Sequence, residues 1–366
     1  MEEIDDCPVA NSYIRNLIPY QPGKPIEELE RELGIVSAIK LASNENPLGA
    51  SPAAIEAGQK ALEKSHIYPD GGCYNLKNAL SDFLEVKPSQ LTIGNGSENI
   101  LEIIVKAYLA NGQSAVVSQY AFLTISLLVK SAGADLITVP AYQYGHDLKK
   151  IAAAVNETTQ IVFIVNPNNP TGTYTKQDDL MLLLNSVPSH VLVVIDEAYH
   201  EYIKRDDYPD TVSLLKRYPN LIITRTFSKA YGLAALRLGY AISSEAVADM
   251  LNRARLPFNV NSVAVCAGLA ALKDQAHIKK SVALNSQGMQ QLEDGLNKLQ
   301  MTFIPSLGNF IAIDLKKNAK EVYESMLRQG VIVRPLAAYD MPTFIRVTIG
   351  TTEQNERFLQ VLESVL

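Results

Sequence analysis

The sequence predicts an α/β fold: a large domain around a doubly wound, mainly parallel sheet, with a smaller α+β domain beside it. Three observations lead there. Between residues 91 and 242, short continuous apolar runs alternate with segments of helical spacing. That is the pattern of strands covered by helices on both faces. After Gly308 a shorter strand–helix–strand–strand–helix series follows. The chain has 366 residues, enough for more than one core.

Taken in order, residues 1–42 form an N-terminal arm and a small-domain segment, 43–256 the large domain and 257–366 the small C-terminal domain. The run Ile18-Pro19-Tyr20-Gln21-Pro22-Gly23-Lys24-Pro25 holds too much Pro and Gly for regular structure. A short amphipathic helix is expected over 26–33, then a turn-forming stretch over 40–49. Ser51 caps and Pro52 opens a helix to residue 64, and a second helix is expected over 75–84. Strands are expected at 91–93, 115–118, 136–139, 161–166, 191–196, 221–224 and 238–242. A helix over 246–256 and one long helical tract over 262–299 come next. The last elements are a strand at 310–315, a helix at 319–329, strands at 331–334 and 344–349, and a helix at 352–366.

Composition narrows the class of protein. With 47% hydrophobic and 20% charged residues and a net charge of −6, the chain has neither a nucleic-acid nor an anionic-membrane surface as its expected partner. Local basic pockets for an anionic substrate remain allowed. Cys7, Cys73 and Cys266 are scattered and odd in number, which suggests ordinary thiols in a reducing compartment. The acidic start lacks the form of a signal peptide and no apolar run approaches membrane-spanning length; the expected location is the cytoplasm. The five histidines show no ligand spacing with the cysteines, so no metal is expected. His200, just after the strand ending at Asp196, is expected to be a bystander rather than a catalyst.

The chemistry concentrates at strand ends. Lys229 follows the apolar run 221–224, so it falls at a strand's carboxyl end, where open α/β sheets place their ligands. It has the surroundings of a Schiff-base lysine, and Thr226, Ser228 and Arg237 could hold a phosphate beside it. Gly94-Asn95-Gly96-Ser97-Glu98-Asn99 joins a strand to a helix, a backbone N–H cradle suited to an anion. The third glycine of a dinucleotide fingerprint is absent and there is no GxxxxGK[ST] stretch, so nucleotide hydrolysis has no support. Asn166-Pro167-Asn168-Asn169-Pro170-Thr171-Gly172 is either a tight turn or a loop presenting Asn169 to a ligand's ring oxygen. Asp196 ends a buried apolar strand, where a carboxylate is costly unless paired with a cation or metal. It is either a helix cap or the partner of a protonated pyridine nitrogen.

Together these groups resemble one family over essentially the whole chain: the fold type I aminotransferases that use pyridoxal 5′-phosphate. Within that family the pattern is similar to the histidinol-phosphate aminotransferase subgroup. Carrying that likeness are Pro19-Tyr20-Gln21-Pro22-Gly23-Lys24-Pro25, Ser43-Asn44-Glu45-Asn46-Pro47, Tyr68-Pro69-Asp70, Val333-Arg334-Pro335 and Ile345-Arg346-Val347-Thr348-Ile349-Gly350-Thr351. The resemblance implies Lys229, Asp196 and Tyr199 as catalytic groups. Lys229 would carry the cofactor as a Schiff base, Asp196 would keep its ring nitrogen protonated, and Asn169 and Tyr199 would bind its ring oxygen. Gly96, Ser97 and Glu98, with Thr226, Ser228 and Arg237, would hold its phosphate, Tyr120 would stack on its ring, and Tyr68 would reach across a homodimer interface. Tyr20, Asn46, Arg334 and Arg346 would bind substrate, with histidinol phosphate and the glutamate/2-oxoglutarate couple using one anion site. Two departures stand out: Glu98-Asn99 replaces an Asp-Glu pair, and Ser118-Gln119-Tyr120-Ala121-Phe122 lacks the usual proline.

Three rival readings exist. An aromatic amino-acid aminotransferase would keep Lys229, Asp196 and Arg346 without needing Arg334 for a phosphate. A threonine-phosphate decarboxylase would release CO2 rather than consume a keto acid. A non-catalytic, cofactor-binding regulator would be expected to carry a basic helix-turn-helix extension, and neither end of this sequence has one.

Overall fold

Alternate residues of the central apolar strands serve two different cores, which is why these strands are apolar throughout. Val193, Ile195 and Ile223 belong to one core; Leu192, Val194 and Ile222 belong to the other. With a side-chain period of two, a strand covered on both sides needs hydrophobic residues at every position.

The computed structural model describes residues 10–19 and 23–366. Its strands are β1 (Ile39–Lys40), β2 (Leu91–Gly94), β3 (Ser114–Ser118), β4 (Asp135–Val139), β5 (Thr159–Val165), β6 (Leu192–Asp196), β7 (Leu221–Thr226), β8 (Gly239–Ser243), β9 (Thr302–Ile304), β10 (Phe310–Asp314), β11 (Val331–Ile332), β12 (Arg334–Pro335) and β13 (Phe344–Thr348). A seven-stranded sheet has the order β2-β8-β7-β6-β5-β3-β4. Neighbours from β7 through β4 pair in parallel, and only β8 runs against its neighbours. All seven expected strands of this sheet are present. The order reverses between β3 and β5, and a ligand site is expected at the carboxyl ends beside such a switch.

A second sheet, β12-β13-β10-β9, is antiparallel. It covers a separate core containing Ile311, Ile313, Val347 and Phe358. The parallel pair β1 and β11 ties residues 39–40 to this part of the molecule, and Leu29, Ala42 and Ile332 pack together there.

The structure corrects the sequence reading in three places. The expected tract over 262–299 is two helices, Ser262–Lys273 and Gln275–Lys298, because the Asp274 side chain accepts from His277 N–H and caps the second. The first helix and the start of the second pack in the large core through Ala264, Ala271, Ile278 and Val282, whereas Leu292 and Leu296 lie in the other. The passage between cores therefore falls inside the second helix, beyond residue 257. The single strand expected over 331–334 is split: β11 pairs with β1, and β12 with β13. No described helix is long and apolar enough to cross a membrane.

Candidate active site

The ends of β5, β6 and β7 open on a cavity of about 160 Å³. Lys229, Asp196, Tyr199 and Asn169 all line it. Lys229 sits just past β7, and its Nζ donates to the Ser43 carbonyl at 3.2 Å. The same Nζ lies 5.8 Å from the centre of the Tyr199 ring. Burial first, then the charge of Arg346, pulls the Lys229 ammonium down to about 8. An amine with that value supplies free base near neutral pH.

Asp196 is 4% exposed. Among the described residues one side chain donates to it, the Thr224 hydroxyl at 2.9 Å, set by the β6–β7 register that places the two residues opposite each other. Burial pushes this carboxyl up to about 6, and the charge of the adjacent Glu197 adds to the rise. Tyr199 is buried beside it and pushed above the usual phenol range by burial. Its oxygen accepts a 2.8 Å hydrogen bond from the Asn44 amide.

One end of the cavity is built for an anion. Gly96 has φ +90, and helix Ser97–Tyr108 begins immediately after it. A Cβ on Gly96 would come within 2.6 Å of Arg237 Nη2, so glycine is needed both for the turn and for the guanidinium's approach. Arg237 Nη1 donates to Ser228 Oγ at 3.2 Å, and Thr226 Oγ1 accepts from Ser228 N–H at 3.1 Å. Helix-end N–H groups, two hydroxyls and an arginine are groups that could hold a phosphate. Glu98 lines the same end, 3.7 Å from Arg237, with Thr124 donating to its other oxygen.

A second cationic feature flanks the cavity. Arg346 on β13 is 7% exposed; it donates to Asn169 Oδ1 and to the Ala42 carbonyl. The β12–β13 register sets Arg334 directly opposite it. Residues so paired share a face of the sheet, which brings two cationic side chains together.

The comparisons with known proteins agree with this geometry. Residues 36–362 match the family described as aminotransferase class I and II. The chain belongs to the class I and II aminotransferases. This aminotransferase is 53% identical over 364 residues to histidinol-phosphate aminotransferase 2 of Pseudomonas aeruginosa, covering 99% of each chain. Histidinol-phosphate aminotransferase 1 of Nitrosococcus oceani is 50% identical, with 98% of this chain and 97% of that one covered. Among solved structures, the histidinol-phosphate aminotransferase of Sinorhizobium meliloti in complex with pyridoxal-5′-phosphate superposes with a TM-score of 0.89 at 29% identity, covering 98% of each chain.

Several residues named from the sequence lie elsewhere in this aminotransferase. Phe122, not Tyr120, is in the cavity wall. A turn closed by Ala121 N–H to the Ser118 carbonyl carries the chain past Tyr120, whose ring instead neighbours Tyr144 at 6.1 Å and the cluster around Phe344. Asn46 is turned away from the cavity: its amide donates to Ala230 O and Ser281 Oγ, and its oxygen accepts from Leu48 N–H. It ties the 43–49 loop to the Lys229 loop. Tyr68 is 80% exposed and stacked on Phe258 at 4.9 Å. Tyr20 lies outside the described residues. Sequence reasoning missed Phe122, Thr224 and Asn44; Asn44 was in plain view within Ser43-Asn44-Glu45-Asn46, but its partner Tyr199 is 155 positions away.

Proposed function

We propose that this aminotransferase binds pyridoxal 5′-phosphate and moves an amino group between histidinol phosphate and 2-oxoglutarate. The products are imidazole-acetol phosphate and glutamate, and the place is histidine biosynthesis in the cytoplasm. The residues fit the cofactor. Asp196 is a buried carboxylate with one side-chain donor and a raised titration point, a site waiting for a cation. Lys229 faces the same cavity as an amine of lowered basicity, and the Gly96 turn, Ser97, Glu98, Thr226, Ser228 and Arg237 gather phosphate donors at one end.

When bound, the cofactor supplies a protonated pyridine ring that takes up the electron pair left as the substrate's Cα proton departs. Asp196 would hold that ring nitrogen as an ion pair. Tyr199 and the Asn169 amide would hold the ring oxygen, and Phe122 would lie beside the ring. Lys229 Nζ, an amine of lowered basicity facing the same cavity, would take the proton from Cα.

The observation that carries the substrate is the register of Arg334 against Arg346. Two guanidinium groups on one sheet face suit a phosphate dianion better than a single carboxylate. Tyr20 would add its hydroxyl, and the glutamate carboxylate would use the same site in the second half-reaction. The working unit is a homodimer: Ile67, Tyr68, Leu256 and Phe258 are 57%, 80%, 67% and 47% exposed, an apolar group suited to a second copy. Tyr68 would then reach the cofactor phosphate of the neighbouring site.

The experiment is a comparison of amino donors with 2-oxoglutarate as acceptor. Glutamate should form far faster from histidinol phosphate than from phenylalanine or tyrosine. Comparable rates would make the enzyme a broad aromatic aminotransferase, and CO2 release without keto-acid consumption would make it a decarboxylase.

A further inference from the structure

Three buried side chains behind the cavity form a hydrogen-bonded chain with a definite direction. Asn44, Thr348 and Tyr199 are 1%, 3% and 2% exposed. Thr348 Oγ1 accepts from the Asn44 backbone N–H at 2.9 Å. Its own proton is therefore free to be donated, and Asn44 Oδ1 receives it at 3.3 Å. That fixes which way the amide faces: its oxygen towards Thr348, its NH2 towards Tyr199 at 2.8 Å. Since an amide nitrogen only donates, the phenol oxygen must accept, and the phenol proton cannot point back. It is turned towards the cavity.

The backbone keeps Asn44 in this pose. Its φ is 54, a left-handed conformation that asparagine tolerates better than most residues. Asn309 donates to its carbonyl at 3.0 Å, and Thr348 N–H donates to Leu41 O at 2.8 Å. The hairpin strand β13 and the 41–46 segment thus clamp the amide from both sides.

We infer that Asn44 and Thr348 are positioning residues that orient the Tyr199 hydroxyl proton towards the ring oxygen of the bound cofactor. The inference rests on the cofactor assignment above. A donor aimed at that oxygen stabilises its anionic form, so it lowers the pH at which the cofactor's visible band titrates. Aspartate at position 44 only accepts and would take the phenol proton for itself. Glycine at 44 keeps the left-handed backbone and removes the amide, and valine at 348 removes the hydroxyl that fixes it.

The test is a pH titration of the visible spectrum of the protein loaded with pyridoxal 5′-phosphate. N44D should raise the midpoint by about one pH unit, the size of one lost charge-assisted hydrogen bond. N44G and T348V should raise it by less, and T348S should match the wild type. Should N44D fail to fold, N44G and the T348V/T348S pair decide the matter alone. Identical midpoints in all variants would overturn the inference while leaving the cofactor assignment intact. A wild-type protein with no visible band would overturn both.

Discussion

Asp196 and Glu197 are adjacent carboxylates at one strand end, 4% and 0% exposed, and the fold equips them very differently. Glu197 receives Arg225 Nε at 2.9 Å and Nη2 at 2.8 Å, the Thr211 hydroxyl at 2.8 Å and the Tyr208 hydroxyl at 3.3 Å. Asp196 receives one hydroxyl, from Thr224, and the backbone N–H of Ala198. Strand alternation sends the two side chains to opposite faces, so the Arg225 charge satisfies Glu197 on one face, while on the other Asp196 makes no ion pair among the described residues and the cation it feels is Lys229 across the cavity. The paired carboxylate holds β6 to β7; the other faces the cavity. A buried group left short of partners is expected at a functional site.

The largest test of this contrast is Asp196→Asn. It keeps the shape and loses the ion pair, so turnover should fall by about a thousand-fold, from the 3–5 kcal/mol that breaking a buried pair costs. Glu197→Gln should instead strike stability, by about 3–5 kcal/mol in a denaturant titration, because Arg225 is left buried and uncompensated. Loss of activity without loss of stability in Glu197→Gln would erase the distinction.

The cofactor-free protein sharpens it further. The folded value of Asp196, about 6, lies above its ordinary 3.8, so the unfolded chain sheds the proton first as pH rises. The penalty is absent below about pH 4, grows between about 4 and 6, and is complete above that. Asp196→Asn should therefore stabilise the cofactor-free protein by about 3 kcal/mol at pH 8, with the gain vanishing near pH 4. Denaturant midpoints across that range would show it, and a gain independent of pH would contradict it. The smallest effect expected is at Arg334. Arg334→Ala should slow histidinol phosphate about 10–100-fold more than phenylalanine, the size of one lost hydrogen bond between charged groups. Equal losses for both would remove Arg334 from the phosphate site.

Much of this was legible in the sequence, for physical reasons. Strands β2, β3 and β5 to β8 could be read because both faces are covered, which forces continuous apolar runs; β4, exposed at Asp135 and Thr138, offered only a short one. The place of Lys229, Asp196 and Asn169 at strand ends around the cavity could be read because each follows a continuous apolar run. The strands β1 and β9 could not, since runs of two or three residues leave no period to detect, and the partner of β1 lies far along the chain. Which of Tyr120 and Phe122 lines the cavity turned on a single backbone turn, and two aromatics two positions apart look alike until that turn is placed. Asn44 and Asn46 posed the same problem. Only the fold decides which amide meets Tyr199 and which is spent on Ala230 and Ser281.

The most direct measurement is borohydride reduction of the protein loaded with pyridoxal 5′-phosphate, followed by peptide mapping by mass. The reduced cofactor should be found on Lys229 alone, and Asp196→Asn should still be labelled there, with a shifted visible band beforehand. Label on another lysine, or none on Lys229, would contradict the placement of the active site.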